Sequence, residues 1–166
     1  DVGGGSTELA IGDPNGQVHS AQSLRIGSGL LTDSCVLSDP PSTEELETMR
    51  VRVDGEIGKL SRAPVRSALA VGGTATSMGR LVGPELSREN LQRAIELLAG
   101  MRVDEVADRY RVDPVRVRLL PAGILVLQAV SERLERTLRI APGGLREGVV
   151  LELADQAGPA GAPSVD

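Results

Sequence analysis

The stretch Asp1-Val2-Gly3-Gly4-Gly5-Ser6-Thr7-Glu8-Leu9 places a run of glycines directly before a strand-like sequence. Glycine has no β-carbon, so consecutive glycine N–H groups can approach the oxygens of a phosphate closely and point at them together. The segment Gly3-Gly4-Gly5-Ser6 by itself is equally typical of a flexible linker. The stretch is a candidate phosphate-binding turn, and further glycine turns elsewhere in the chain would strengthen that prediction.

Further glycine turns follow strand-like positions later in the chain, at Gly72-Gly73-Thr74 and at Gly143-Gly144. Ligands of α/β proteins bind beyond the carboxyl ends of the strands, where such turns lie. The hydroxyls of Ser6 and Thr74 would each add a hydrogen-bond donor. The residues predicted to bind phosphate are Gly3, Gly4, Gly5, Ser6, Gly72, Gly73 and Thr74.

Two acidic residues, Asp1 and Glu8, flank the first glycine turn. An acid beside a phosphate usually holds a divalent cation or positions a water molecule. Asp1 and Glu8 are therefore candidates either for holding a cation or for positioning water.

Strand and helix patterns follow an initial hairpin. Ser42 and Glu45 form a capping box for a helix that runs toward Leu60. A second capped helix lies between Ser87 and Gly100, and Pro121 is expected to kink or break a third. Strands are predicted at 7–11, 17–26, 68–71 and 137–140, and further helices at 75–81, 103–110, 114–134 and 145–153. This order predicts an α/β domain, with a mixed sheet and helices on both of its faces.

Composition limits the possible partners and the compartment. The net charge of -5 argues against broad binding to nucleic acid or to a membrane. Cys35 is the only cysteine, which excludes an internal disulfide and fits a reducing cytoplasm. The longest apolar run, 119–130, is shorter than a membrane span and predicts a buried helix.

A group of arginines at 109–118 resembles a basic patch, comprising Arg109, Arg111, Arg116 and Arg118. Four acids in the same region balance it in charge, namely Asp104, Glu105, Asp108 and Asp113. The pattern favours a solvated face of ion pairs over a binding site.

Four motifs in this order carry a resemblance to a known family. The 1–9 stretch resembles the second phosphate loop of the exopolyphosphatase and guanosine pentaphosphate phosphohydrolase (Ppx/GppA) family. Residues 70–76, Ala-Val-Gly-Gly-Thr-Ala-Thr, resemble its Gly-Gly-Thr loop. Residues 120–123, Leu-Pro-Ala-Gly, and 144–148, Gly-Leu-Arg-Glu-Gly, resemble its two remaining segments.

The resemblance implies a ribonuclease-H-like lobe of the actin-like ATPase superfamily. Residues 1–155 would be the second, C-terminal lobe of a phosphatase domain whose N-terminal lobe is absent, and 156–166 a disordered tail. The implied reaction is attack of water on the terminal phosphorus of polyphosphate. Asp1 and Glu8 would lie nearest a magnesium ion, optionally joined by a monovalent cation, with Glu8 as a catalytic residue. The glutamate that acts as the base for water would lie in the missing lobe. The implied partners are the missing lobe and, in the full-length protein, a second copy of the chain.

Two positions depart from the family pattern. Leu30 stands where the family often has an arginine, and Arg118 stands where it usually has an aspartate. Either change could alter substrate preference or a contact between lobes. The alternatives left open are a guanosine pentaphosphate phosphohydrolase, a non-catalytic module that binds polyphosphate or an alarmone, and a kinase or ATPase lobe of the same superfamily.

Overall fold

The computed structural model describes residues 1–60 and 64–157. The described part begins with an antiparallel hairpin. It also contains a three-stranded mixed sheet and seven helices. The strands are β1 (Thr7–Gly12), β2 (Val18–Leu24), β3 (Ala68–Ala70), β4 (Glu85–Leu86) and β5 (Leu138–Ile140). The helices are α1 (Ser28–Cys35), α2 (Thr43–Ile57), α3 (Gly72–Val82), α4 (Arg88–Gly100), α5 (Val103–Tyr110), α6 (Pro114–Leu134) and α7 (Leu145–Ala157).

The strands are divided between two sheets. β1 pairs with β2, and the second sheet has the order β3-β5-β4, with β3 parallel and β4 antiparallel to β5. A bridge between Val2 and Thr7 ties the first residues to the hairpin. The mixed α/β character predicted from the sequence is therefore present.

The three-stranded sheet is covered unevenly. Register places Ala68, Leu138 and Leu86 on one face, and all three are buried. Leu69 and Arg139 lie on the opposite face and are exposed. In the described residues, the face with Ala68, Leu138 and Leu86 therefore packs into the core, and Leu69 and Arg139 remain accessible on the other face.

Helix α6 forms the centre of the core. It packs against α1, α2, α3, α4 and α5. It is the one helix among the described residues that is long and apolar enough to cross a membrane, and 67% of its most apolar stretch is buried inside the protein. The prediction of a buried helix around 119–130 is therefore confirmed.

Of the kink or break predicted at Pro121, the break is wrong. Pro121 lies inside α6 and is buried, and the helix continues through it to Leu134. Proline removes one backbone hydrogen bond from a helix interior, which usually costs about 3 kcal/mol or more. Here the packing of α6 against five other helices offsets that loss.

The ends of several elements differ from the prediction. The capping box of Ser42 and Glu45 is confirmed, as is the Ser87 cap of α4. α1 and the short β4 were not predicted. α7 continues to Ala157, past the expected start of the tail at Gln156, and the rest of that tail, 158–166, lies outside the described residues.

Candidate functional site

The two glycine loops meet although about seventy residues separate them in the sequence. The first glycine loop comprises residues 1–6 and the second comprises residues 70–74. The hydroxyl of Thr74 donates a 2.8 Å hydrogen bond to the carbonyl oxygen of Val2, which joins the two loops directly. A β-carbon on Gly123 of α6 would collide with the Thr74 methyl group. The Pro-Ala-Gly segment of α6 therefore packs directly against the Thr74 side chain.

Helix α1 holds the first glycine loop from another side. The backbone N–H of Ser28 donates to the Gly3 carbonyl at 2.9 Å, and that of Leu30 donates to the Gly4 carbonyl at 2.9 Å. The Ser28 hydroxyl adds a 3.2 Å bond to Gly3, and Ser28 is buried. A β-carbon on Gly27 would collide with the backbone of Gly4. The first turn of α1 thus satisfies its free N–H groups with carbonyls of the loop, which fixes the shape of that loop.

A cavity of about 730 Å³ opens between the two loops. We call it the main cavity. The N-terminus of α3 faces it, and the free N–H groups and dipole of a helix N-terminus favour an anion. Its lining comprises Asp1, Val2, Gly3, Gly4, Ser28, Gly72, Gly73, Thr74, Thr76, Ser77, Arg116, Leu119, Leu120, Gly143, Gly144, Leu145, Arg146 and Glu147.

The structure brings most of the predicted site residues together, but not all. Six of them line the main cavity: Asp1, Gly3, Gly4, Gly72, Gly73 and Thr74. Gly5, Ser6 and Glu8 are not part of that lining. The third glycine turn, Gly143-Gly144, also reaches the cavity.

Thr74 takes part differently from the sequence prediction. Its hydroxyl hydrogen is directed to the Val2 carbonyl, so the hydroxyl is not a free donor for a phosphate. The group that Thr74 can offer is its backbone N–H in the first turn of α3. Its side chain holds the two loops together.

Glu8 lies on the hairpin beside the main cavity. It pairs with Ser23 across the hairpin, and the Ser23 hydroxyl donates to Glu8 Oε1 at 2.9 Å. The hydroxyls of Ser6 and Ser23 hold the pKa of the exposed Glu8 carboxyl below its usual value. Glu8 is therefore a carboxylate at neutral pH, close in sequence to the glycine loop but outside the cavity that the loop lines.

Asp1 is the acid that reaches the main cavity from the first glycine loop. Its carboxylate lies against Gly72, where a β-carbon would collide with it, and Gly72 has a φ of +85°. Only glycine adopts that backbone region readily, so Gly72 makes room for Asp1 in two ways.

The described residues contain no group of three or more His, Cys, Asp or Glu side chains that could hold a metal ion. Mg²⁺ in phosphate sites is usually held by one or two carboxylates together with waters and substrate oxygens. Asp1, alone in its loop and next to the glycine N–H groups, fits that kind of coordination. Glu8, bonded to Ser23, lies apart from it.

The lining of the main cavity includes two arginines that the sequence had not assigned to a phosphate site. Arg116 belongs to α6 and Arg146 to the start of α7. The charge pattern predicted a solvated face of ion pairs for Arg116; the residue is exposed, and it also lines the main cavity. The signal that could have found it is position, since Arg116 lies seven residues, about two helical turns, before Gly123, which lies against Thr74.

Comparisons with known sequences match this chain to one protein family. The model of the Ppx/GppA phosphatase family matches residues 1–157. Exopolyphosphatase 1 of Mycobacterium leprae is 31% identical over 173 residues, which cover 93% of this chain and 50% of that protein. Exopolyphosphatase 2 of Mycobacterium tuberculosis is 27% identical over 175 residues, with 93% and 54% covered.

Solved structures give the same answer. The crystal structure of the Aquifex aeolicus member of the Ppx/GppA family has a TM-score of 0.84 at 26% identity, covering 96% of this chain and 56% of that one. The likeness confirms the predicted fold class, an actin-like, ribonuclease-H-like lobe. The chain spans about half the length of the relatives it matches.

Proposed function

Because this chain belongs to the Ppx/GppA phosphatase family, we propose that it forms one wall of an active site that releases terminal phosphate from inorganic polyphosphate. The observation that carries the proposal is the main cavity, where two distant glycine loops, joined by the Thr74–Val2 hydrogen bond, meet Arg116 and Arg146. Backbone N–H groups and guanidinium groups are the donors that phosphate oxygens accept best.

The reaction is hydrolysis of a phosphoanhydride bond. A water oxygen bonds to the terminal phosphorus, the bridging P–O bond breaks, and the shortened chain leaves with the electron pair. The attacking water gives up one proton to a general base, which we assign to the proposed second lobe. Such transfers are accelerated mainly by positioning and by electrostatic stabilisation of the equatorial oxygens.

Each part of the main cavity has a role in this proposal. The N–H groups of Gly73 and Thr74, at the α3 N-terminus, bind the oxygens of the terminal phosphate. Arg116 and Arg146 neutralise charge on the chain. Asp1 would hold a magnesium ion, which when bound offsets the negative charge of the phosphate oxygens.

Glu8 is proposed as the acid that orients the attacking water. It is charged and exposed beside the first glycine loop, where a second lobe could approach it. That second lobe is proposed because the relatives are about twice as long as this chain. Actin-like enzymes of two lobes bind their substrate in the cleft between them, so the activity is assigned to the two-lobed protein.

Polyphosphate is preferred over a guanosine alarmone as the substrate. The curated relatives of both mycobacterial species are exopolyphosphatases by name. The main cavity offers no aromatic side chain on which a base could stack within the described residues. A proposed second copy of the chain and a cytoplasmic location rest on the family resemblance and on the single cysteine.

The test measures phosphate release by the full-length protein with magnesium, using long-chain polyphosphate, guanosine pentaphosphate and ATP in separate assays. We expect release from polyphosphate at the highest kcat/KM. Preferred release from guanosine pentaphosphate would assign the alternative substrate. Binding of polyphosphate without any release would leave a non-catalytic module, and preferred turnover of ATP would favour an ATPase lobe.

The same assay is run with residues 1–157 alone. We expect weak binding of tripolyphosphate and no phosphate release, because one wall of the cleft lacks the second set of groups. Release by residues 1–157 alone that Glu8→Gln abolishes would overturn the assignment of the activity to two lobes.

A further inference from the structure

A second cavity of about 400 Å³ lies next to the main cavity. We call it the side cavity. The two cavities share Gly73, Thr76, Ser77 and Arg116 in their linings, so they adjoin along the first turns of α3. The remaining lining residues of the side cavity are Arg80, Val112 and Asp113. None of these three was assigned to the phosphate site by motif.

The side cavity has a surplus of positive charge. Arg80 and Arg116 face one acid, Asp113. Asp113 caps α6, and its Oδ1 accepts a 2.8 Å hydrogen bond from the Val115 N–H. That carboxylate is therefore partly engaged, and two guanidinium groups remain for an anion in a protein whose net charge is -5.

Arg80 is held in place from one end. Its Nη1 donates to the carbonyl oxygen of Arg111, the residue that ends α5 in the left-handed region with a φ of 53°. Arginine carries five N–H donors, and this bond uses one of them. The contact orients the Arg80 guanidinium at the side cavity and leaves donors for a ligand.

We propose that the side cavity is a subsite for a further phosphate group of the molecule whose terminal phosphate lies in the main cavity, and that Arg80 binds this second group. The inference rests on the proposed function, since it extends the same phosphate chain along α3. Arg116 lies in both linings and would contact both parts of the chain. Arg80 would therefore set the preference for phosphate chains over single phosphate groups.

The test uses Arg80→Gln in the full-length protein. Glutamine keeps an amide donor on a shorter side chain, but it has no charge and cannot form a bidentate contact with a phosphate. Arg93→Gln is the matched control, because Arg93 is exposed on α4, away from both cavities, and loses the same charge. Tripolyphosphate, guanosine pentaphosphate and inorganic phosphate are titrated by calorimetry, and KM and kcat are measured with long-chain polyphosphate.

We expect Arg80→Gln to weaken tripolyphosphate binding and to raise KM by about tenfold, the effect of losing one charge-assisted hydrogen bond. Affinity for inorganic phosphate and kcat should stay within about twofold, since a single phosphate would bind in the main cavity and would not reach Arg80. Arg80→Lys should recover part of the loss. An equal loss of affinity for guanosine pentaphosphate would show that the phosphate groups of a nucleotide also bind in this subsite.

Two results would overturn the subsite. One is an Arg80→Gln protein that binds tripolyphosphate as the wild type does. The other is an equal loss for inorganic phosphate and tripolyphosphate, which would place Arg80 at the main cavity or in its support. Absence of turnover in the wild type would contradict the proposed function instead, and the calorimetric titrations would still decide the subsite.

Discussion

The hydroxyl of Thr74 donates a hydrogen bond to the carbonyl oxygen of Val2 at 2.8 Å, and this bond joins two loops that belong to distant parts of the sequence. Val2 is buried and Thr74 is half-buried, so the bond is largely protected from water. Without it, the first glycine loop would keep its hydrogen bonds to α1 through Gly3 and Gly4 and the contact of the Asp1 carboxylate with Gly72. The Thr74 hydroxyl adds the side-chain hydrogen bond that helps to fix the relative position of the two sets of N–H groups.

Thr74→Val tests this bond with little change in shape. The variant leaves the Val2 carbonyl without its partner, which should lower the free energy of unfolding by about 1–2 kcal/mol. Phosphate affinity should fall as well, because the loops lose their fixed spacing. Urea unfolding and tripolyphosphate titration measure the two effects. Thr48→Val is the control, since the Thr48 hydroxyl bonds within α2, to the Glu44 carbonyl at 2.9 Å, and Thr48 lines neither cavity. Equal effects of the two variants would contradict a special role for Thr74.

Gly123→Ala is expected to destabilise the site from the helix side. Its new β-carbon would collide with the Thr74 methyl group and push that residue away from Val2. Overpacking of this kind typically costs about 1–3 kcal/mol. Serine at position 74 lacks the methyl group and keeps the hydroxyl.

The double variant Gly123→Ala with Thr74→Ser should therefore be more stable than the two single losses predict. A double-mutant cycle from urea unfolding gives this coupling energy, and neighbouring residues typically couple by about 0.5–3 kcal/mol. Additive losses within error would show that α6 does not act on the loop through Thr74.

Glu45 gives a prediction about acid stability. Its carboxylate accepts hydrogen bonds from the Ser38 hydroxyl at 2.6 Å, the Ser42 N–H at 2.8 Å and the Leu37 N–H at 2.7 Å. These donors, the Ser38 hydroxyl first, lower the pKa of Glu45 from 4.5 to about 2. A carboxyl whose pKa is lower in the folded state contributes stability above its unfolded pKa, and that contribution is lost as the pH falls through its folded pKa.

The free energy of unfolding of Glu45→Gln should therefore fall less than that of the wild type as the pH is lowered from 4.5 to about 2. At pH 7 the variant should be less stable than the wild type, and the two should converge toward pH 2. Urea midpoints at a series of pH values measure this. Glu44→Gln, in the same helical turn, is the control, because its side chain makes none of these hydrogen bonds. Parallel pH profiles for wild type and Glu45→Gln would contradict the assignment.

The sequence predicted what local chemistry decides. The capping box of Ser42 and Glu45 needs only residues three apart, and it is present as expected. α1 was missed for the opposite reason. Gly27 and Gly29 weaken the local helix pattern, and the N–H groups at its start are satisfied by Gly3 and Gly4, which are distant in the sequence. No nearby residue signals that support.

The same distinction holds for the candidate site. The glycine motifs predicted turns at both loops, and the turns are present; at Gly72 a β-carbon would collide with Asp1, so the glycine there is required. The position of Arg116 could not be found this way, since a charge count treats every arginine in the 109–118 group alike. Its place in the main cavity follows from the packing of α6 beneath the second glycine loop, which is a tertiary contact.

The last prediction distinguishes the roles of Asp1 and Glu8, the two acids at and beside the first glycine loop, in the full-length protein. Asp1 lines the main cavity, whereas Glu8 lies on the hairpin with Ser23. Asp1→Asn should therefore raise the magnesium concentration needed for half-maximal activity, because it removes the proposed metal ligand. Glu8→Gln should lower kcat by about a hundredfold, the range for a positioned acid or base, and should leave that magnesium requirement nearly unchanged.

Ser23→Ala is the matched control for Glu8, since it removes the 2.9 Å hydrogen bond to Glu8 Oε1 and keeps the carboxylate. If Glu8 acts on water, Ser23→Ala should change kcat by much less than Glu8→Gln, and it should shift the acid limb of the pH–rate profile upward. The shift has that sign because the Ser23 hydroxyl helps to lower the pKa of Glu8. A Glu8→Gln protein with near-normal kcat at saturating magnesium would contradict the catalytic assignment, and the phosphate site at Asp1, Gly72 and Gly73 would stand without it.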